Sequence, residues 1–339
     1  MREIPVRLID LHVDWLLQYA PETVVFDPAL YPGAADRIGQ ADGYLQATRA
    51  AIVSCYRVAE DWAGQPDPWV ALGQLLARIE AEFSGRILIG PDDHGRWLDD
   101  TEGLAWAMIG VEGFDSLVRS PDDLDRLPRL FERGVRLFQP VYNSSSMLGG
   151  SSALGDDRGL TDLGRSFLGA IFDLAPAGDG PRPILDLAHL NPSAASDALA
   201  WFEADPDRPA RVVLAYSHGA PSREDYDAPR AISADNLARL RALGGFIGLG
   251  VSPPFFSAPD QIKAAVDAVA ALPFRGRAGV EGIAIGTDFL GVSRTLPGLG
   301  NAPGVIAWFE ATFDRPTAAA LLRGNAGTLL ARATGVARL

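Results

Sequence analysis

Four histidines occur in 339 residues: His12, His94, His189 and His218. Three of them close a short apolar run, in LIDLHVD, LDLAH and AYSH. Two further apolar runs also end in a group that binds metal or moves protons: Val111-Glu112-Gly113 and Gly286-Thr287-Asp288. Neutral imidazole and carboxylate oxygen are ready ligands for zinc and similar ions. On a strand, residues i and i+2 point to the same side, so His12 and Asp14 project together, as two ligands of one ion would. A carboxylate can also bridge two metals about 3.5–4 Å apart, the arrangement that activates a water. Glu112 is the natural bridge, with His189 and His218 completing a second ion. Asp288 then remains free to act as a general base. The only lysine, Lys263, sits mid-helix in DQIKAAVDAVA and cannot bridge as a carboxylated lysine at a strand end, so the bridge in a binuclear site must be a carboxylate.

Such residues meet only if the chain brings its strand ends together. Apolar strand-like segments fall at Val6–Asp14, Ala50–Tyr56, Leu104–Gly113, Val135–Asn143, Pro183–His189, Val212–His218, Phe246–Ser252 and Gly282–Asp288. Stretches of helical period lie between most of them, most clearly at Trp69–Phe83, Pro121–Arg133, Pro192–Glu203, Ala234–Leu243, Pro259–Ala271 and Val305–Phe313. Eight strands alternating with helices predict an α/β fold, a (β/α)8 TIM barrel with the metal site at the carboxyl ends of its strands. A doubly wound open sheet is the rival. The gathering of polar residues at the strand ends favours the barrel. No composition break divides the chain, so residues 1–339 are expected to form a single domain.

Composition narrows the function classes. Thirty Lys plus Arg against 43 Asp plus Glu give a formal net charge of −13, which argues against a nucleic-acid partner. One cysteine, Cys55 in AAIVSCY, excludes an intramolecular disulfide framework and a cysteine-rich zinc site, and reads as a buried small hydrophobe. The amino terminus lacks a signal-peptide apolar run, and no segment approaches a membrane span. The expectation is a cytoplasmic protein that binds no membrane; base rates alone allow a homodimer. His94, in the acidic, turn-rich GPDDHGRWLDD, is expected to be solvated. The Ser/Gly-rich stretch 143–152 reads either as a lid or as a flexible connection.

Taken in order, LIDLHVDWL, IGVEGF, GVRLFQPVYN, DRGLTDLG, LDLAHLN, SHGAP, GGFIG and GIAIGTDFLG resemble the membrane (renal) dipeptidase family of the amidohydrolase superfamily, from about residue 8 to about residue 325. The resemblance implies a (β/α)8 barrel with a pair of zinc ions. His12, Asp14 and Glu112 would hold one ion, and Glu112, His189 and His218 the other. Asp288 matches the family's proton-transferring aspartate, and Arg230 an arginine that binds the substrate carboxylate. There are departures. Where many members read Thr-His-Asn, this chain has Val141-Tyr142-Asn143; a tyrosine hydroxyl could donate a hydrogen bond comparable to the histidine's. Asp288-Phe289-Leu290-Gly291 stands for the usual Asp-Phe-Asp-Gly, and Ala231 for an asparagine.

The function expected is hydrolysis of the amide bond of a small substrate, a dipeptide. A hydroxide held by the ions would attack the carbonyl carbon while Asp288 would move the proton and Tyr142 donate to the oxyanion. Two readings compete: the same metals acting on a non-peptide amide, a lactone or a phosphoester, or a catalytically silent barrel that binds a ligand. Among the residues, Arg230 could instead pair with Asp225 or Asp227 on the surface, and Tyr142 could simply pack.

Overall fold

Runs of valine, isoleucine, leucine and alanine, apolar on both faces, make the strands β1 (Leu8–Val13), β2 (Thr48–Tyr56), β3 (Trp106–Glu112), β4 (Val135–Gln139), β5 (Ile184–Asp186), β6 (Val213–Gly219), β7 (Phe246–Leu249) and β8 (Ile283–Ile285). The computed structural model describes residues 6–15, 43–56, 67–99, 102–143, 146–153, 155, 157–226, 228–253, 255–292 and 294–336. In it every strand pairs in parallel with the next in sequence, and β1 returns to β8 to close a barrel. Helices lie in the described parts of the connections, as the alternation of periods predicts. All eight expected strands are present, most of them a few residues shorter than the apolar run that signals them.

The helices start where the sequence carries caps. Asn191 accepts from the amide of Ala194 at the head of Pro192–Glu203, and Ser233 from Asn236 at the head of Ala234–Ala242. Pro68, Pro192 and Pro259 sit in first turns, where a missing N–H leaves no helical bond unmade. The stretch expected as one helix over Pro121–Arg133 divides into a 3-10 segment, Pro121–Arg126, and a helix, Leu127–Glu132. Pro128 explains the break, because it can enter a helix only within its first turn.

The helix Asn325–Thr334 lies across the amino-terminal mouth of the barrel, touching β1, β6, β7 and β8. Asn325 Nδ2 donates to the carbonyls of Val280 and Ile283, and Leu329, Leu330 and Ala333 join Ile9, Ile52, Met108, Leu137 and Phe246 in the barrel's lower core. This end is therefore closed, and access is left to the opposite, carboxyl face. Among the described residues no helix is long and apolar enough to cross a membrane.

His94 departs from expectation. GPDDHGRWLDD is not a solvated loop: Pro91–Asp99 is helical, with the Asp93 carboxylate accepting from the amides of Ile89 and Gly90 at its start. The helix packs against Asn325–Thr334, and His94 is 2% exposed with its ring edge-on to Trp97 at 4.9 Å. Among the described residues neither ring nitrogen has a hydrogen-bond partner. Burial disfavours the imidazolium and lowers the His94 pKa from its ordinary 6.5. The folded chain then binds this proton less readily than the unfolded chain, so its stability is complete above pH 6.5 and declines as pH falls below it. Replacing His94 by leucine removes that decline. The thermal midpoint of the variant is expected to gain on wild type by about 1–3 °C between pH 7.5 and pH 5. A gap independent of pH in thermal melts would contradict this account.

Candidate metal centre

β1 and β2 are out of step. Asp10 pairs with Ala51 and Val13 with Val53, so β1 carries one extra residue, a bulge. Before it, Ile9 and Leu11 pack into the lower barrel core; after it, His12 and Asp14 point into the carboxyl-end mouth. Asp10, two residues before His12, is sent the other way and binds β8. It accepts from Thr287 N and Oγ1 at 2.9 and 2.6 Å and from Tyr44 Oη at 2.8 Å. That contact, with the Asp288 amide donating to the His12 carbonyl and the Asp14 amide to that of Phe289, ties the end of β8 to β1.

At the mouth, residues from five strand ends converge. Glu112 lies at the centre, 1% exposed. Its Oε2 is 3.3 Å from His12 Nε2, which in turn is 3.6 Å from Asp14 Oδ1. Its Oε1 is 3.0 Å from His189 Nε2 and 3.5 Å from His218 Nε2. The two oxygens therefore face two separate donor sets, His12–Asp14 and His189–His218, each close enough for its groups to share one ion. Ser54 Oγ donates to Oε2 and Gln139 Nε2 to Oε1, so the strands flanking β3 hold the carboxylate from both sides. Asp288 Oδ1 stands 4.0 Å from His12 Nε2, beside the first set.

The backbone is bent to make this arrangement. Among the described residues four non-glycines adopt positive φ, and three of them, His189, Asp288 and Leu290 (φ 65°, 56° and 70°), lie at this site. Gly291 closes against the carboxylates: a Cβ there would sit 2.0 Å from Asp14 Oδ2 and 2.5 Å from Asp288 Oδ1. The Gly in the Asp288-Phe289-Leu290-Gly291 string is thus required by close approach.

The electrostatics are those of a site built around positive charge. Burial alone would depress His12, yet Glu112 and Asp14 beside it hold its pKa well above the usual 6.5. Burial would raise Glu112, but His12 and His189 hold it well below the ordinary carboxylate range. Burial and the neighbouring Asp14 push the Asp288 carboxyl well up. Burial, with Arg230 nearby, lowers His189 to about 4, and His218 is likewise lowered well below 6.5. A proton on His12 is a poor substitute for the charge that three buried carboxylates call for. The donor set fits divalent cations: oxygen and imidazole ligands, Nε2 lone pairs facing inward, and a His12 Nε2 that has no hydrogen-bond partner among the described residues.

Two outer residues expected at the site lie at its rim. The Tyr142 ring packs on His189, centroids 4.6 Å apart, and is 8% exposed. The 146–153 stretch is tied to the barrel, since Ser151 Oγ donates to the Tyr142 carbonyl and the Ser152 amide to that of His189. Arg230 does not pair with Asp225, which binds Arg223 instead at 2.8 Å; Asp227 lies outside the described residues. Arg230 Nη1 donates to Tyr216 Oη at 3.0 Å and Nη2 to the His218 carbonyl at 3.3 Å, with Phe255 beside the guanidinium. Its charge reaches His189, His218 and Asp288. Cys55 is buried and its thiol pushed far up by burial, so it is inert here.

Several contributing residues carry no obvious sequence signal: Asp10, Ser54, Gln139, Asn143, Asp186 and Ser217. Asp186 lies within reach of His12 and His218, but on the side of their Nδ1 atoms. Its oxygens already accept from Ala188 N, Ser217 N and Ser217 Oγ, at 3.1, 2.8 and 2.5 Å.

A metallopeptidase from Rhodobacter sphaeroides, liganded with a phosphinate mimic of the dipeptide L-Ala-D-Ala, has the same fold: TM-score 0.71 at 19% identity, over 97% of this chain and 100% of that one. In sequence, an uncharacterized dipeptidase of Schizosaccharomyces pombe is 26% identical over 199 residues, 57% of this chain and 44% of its own. A dipeptidase of Clonostachys rogersoniana is 26% identical over 227 residues, 66% of this chain and 53% of its own. The chain thus spans about half the length of the curated relatives it matches. The family model for membrane dipeptidases matches residues 98–337, well over half of the chain. With that match, the resemblance carried by the strand-end motifs becomes an assignment: the chain belongs to the membrane dipeptidase family, peptidase family M19.

Proposed function

We propose that this protein is a dipeptidase that works with two divalent metal ions, zinc in the first instance. The observation that carries the proposal is Glu112, whose two oxygens face two complete donor sets. His12 and Asp14 would hold one ion with Oε2, and His189 and His218 the other with Oε1. When bound, such ions supply Lewis acidity at a substrate carbonyl and lower the pKa of an attacking water.

The chain's own residues supply the rest. Asp288 takes the proton of the attacking water on its carboxylate and returns it to the leaving amine nitrogen. Its Oδ1 stands beside the first donor set, 4.0 Å from His12 Nε2, where an attacking water would lie. Tyr142, on the His189 side of the mouth, donates its hydroxyl to the oxygen that gains charge. Arg230 has two of its five N–H donors engaged by Tyr216 and the His218 carbonyl. The remaining donors suit a two-pronged grip on a terminal carboxylate, which selects short substrates with a free C-terminus. The closed floor of the barrel agrees with a substrate that enters and leaves by one mouth.

The test is a panel of L-L and L-D dipeptides beside lactones and aryl phosphates, with the metal content measured on the same preparations. Dipeptide hydrolysis abolished by a chelator and restored by zinc is expected. Arg230→Met should raise KM for free dipeptides by about 10–100-fold more than for C-terminally amidated ones, the worth of a lost charge-assisted contact. Turnover confined to lactones or phosphates would move the chemistry to another bond. Protein with no bound metal and no turnover would leave a silent barrel.

A further inference from the structure

One hydroxyl sits behind both donor sets. Ser217 Oγ is 2.8 Å from His218 Nδ1, 3.4 Å from His12 Nδ1 and 2.5 Å from Asp186 Oδ2. It is fully buried, as is Asp186. A hydroxyl has one proton and two lone pairs, and here the directions are forced. The proton goes to the Asp186 carboxylate, whose other oxygen is taken up by the amides of Ala188 and Ser217. The lone pairs are left to accept from ring N–H groups. Each imidazole that donates from Nδ1 keeps Nε2 unprotonated, and Nε2 is the atom that both histidines turn toward Glu112. His189 is served separately, its Nδ1 lying 2.7 Å from Asn143 Oδ1, an atom that can only accept.

Resting on the two-metal reading above, we infer that Ser217, backed by Asp186, is a positioning residue that fixes the tautomer of one histidine in each donor set, so that a single hydroxyl couples both metal positions. His12 belongs to one set and His218 to the other, and Ser217 is the only described side chain hydrogen-bonded to the Nδ1 of either. Groups behind a metal-bound histidine commonly orient it and raise its basicity. What is particular here is that one serine does so for two ions, while the third histidine depends on a different residue.

That division supplies the control. With only four histidines, long-range 1H–15N spectra of the imidazoles read each ring's tautomer directly, beside zinc affinities from chelator competition. Ser217→Ala is expected to weaken both zinc positions by about 10–100-fold. The His12 and His218 rings should lose their fixed Nδ1–H form, and His189 should be unchanged. Asn143→Ala should disturb His189 alone. Asp186→Asn is the second variant: its amide donates to Ser217 Oγ and turns the hydroxyl proton toward a histidine Nδ1. That converts the ring to the Nε2–H form, which cannot bind metal, so affinity falls without loss of side-chain volume. If Ser217→Ala does not fold, the same readouts on Asp186→Asn decide the matter. Wild-type protein that binds two zinc ions, with either variant matching its affinities and tautomers, overturns the role of Ser217 alone. Wild-type protein that binds no zinc overturns the metal reading and this inference with it.

Discussion

Asp288→Asn is expected to keep both metal ions and lose turnover by about 10²–10⁴-fold, the usual contribution of a general acid–base group. The geometry separates the two effects. Asp288 belongs to neither donor set around Glu112, and its nearest imidazole contact is 4.0 Å from His12 Nε2. Its position is fixed by its backbone, through its amide on the His12 carbonyl and the Gly291 and Val292 amides on its own carbonyl. An asparagine can hold that left-handed conformation, being among the non-glycine residues that best tolerate it. What it cannot do is accept the water's proton. Metal content by atomic emission should stay at the wild-type value while kcat collapses. A near-normal kcat would mean that the proton goes elsewhere, and a loss of metal would make Asp288 a ligand.

The parts of this site that the sequence discloses are those whose position follows from local pattern. His12, Glu112, His189, His218 and Asp288 each end an apolar run. A barrel brings all such ends to one face, so the pattern alone names the neighbours. The parts it hides depend on contacts between distant segments. Alternation would put Asp10 on the same side as His12 and Asp14, yet the β1 bulge turns it toward Thr287, 277 residues away. Ser217 looks like an ordinary strand residue, and its value lies in Asp186, contributed by the neighbouring strand. GPDDHGRWLDD reads as a loop because its acidic and turn-forming residues dominate. The burial of His94 comes from the helix Asn325–Thr334 at the far end of the chain. Backbone strain at His189 and Leu290 leaves no trace in composition, since neither is among the residue types that turn rules single out.

Glu112→Gln tests the centre itself, and the structure gives the result a direction. A carboxylate offers an acceptor to each donor set, whereas an amide offers one oxygen and one NH2. Gln139 Nε2 can only donate, so the amide oxygen is drawn to the Oε1 position, which faces His189 and His218. Ser54 Oγ can reverse its role and accept, so the NH2 group falls at the Oε2 position, facing His12. The set that keeps an oxygen retains its ion, and the His12–Asp14 set loses one of three ligands and gains a donor pointing where the cation would be. The expected stoichiometry is therefore one zinc per chain instead of two. In spectra of the histidines His189 and His218 should still respond to zinc, and His12 should not. Activity should fall by about 10⁴-fold or more, which corresponds to at least about 5.5 kcal/mol of transition-state stabilisation. The loss is expected to exceed that of Asp288→Asn at saturating zinc, because one removes a proton carrier and the other removes an ion together with the charge balance around it. Two ions retained in Glu112→Gln would show that the carboxylate does not bridge, and one ion seated at His12 and Asp14 would reverse the assigned orientation.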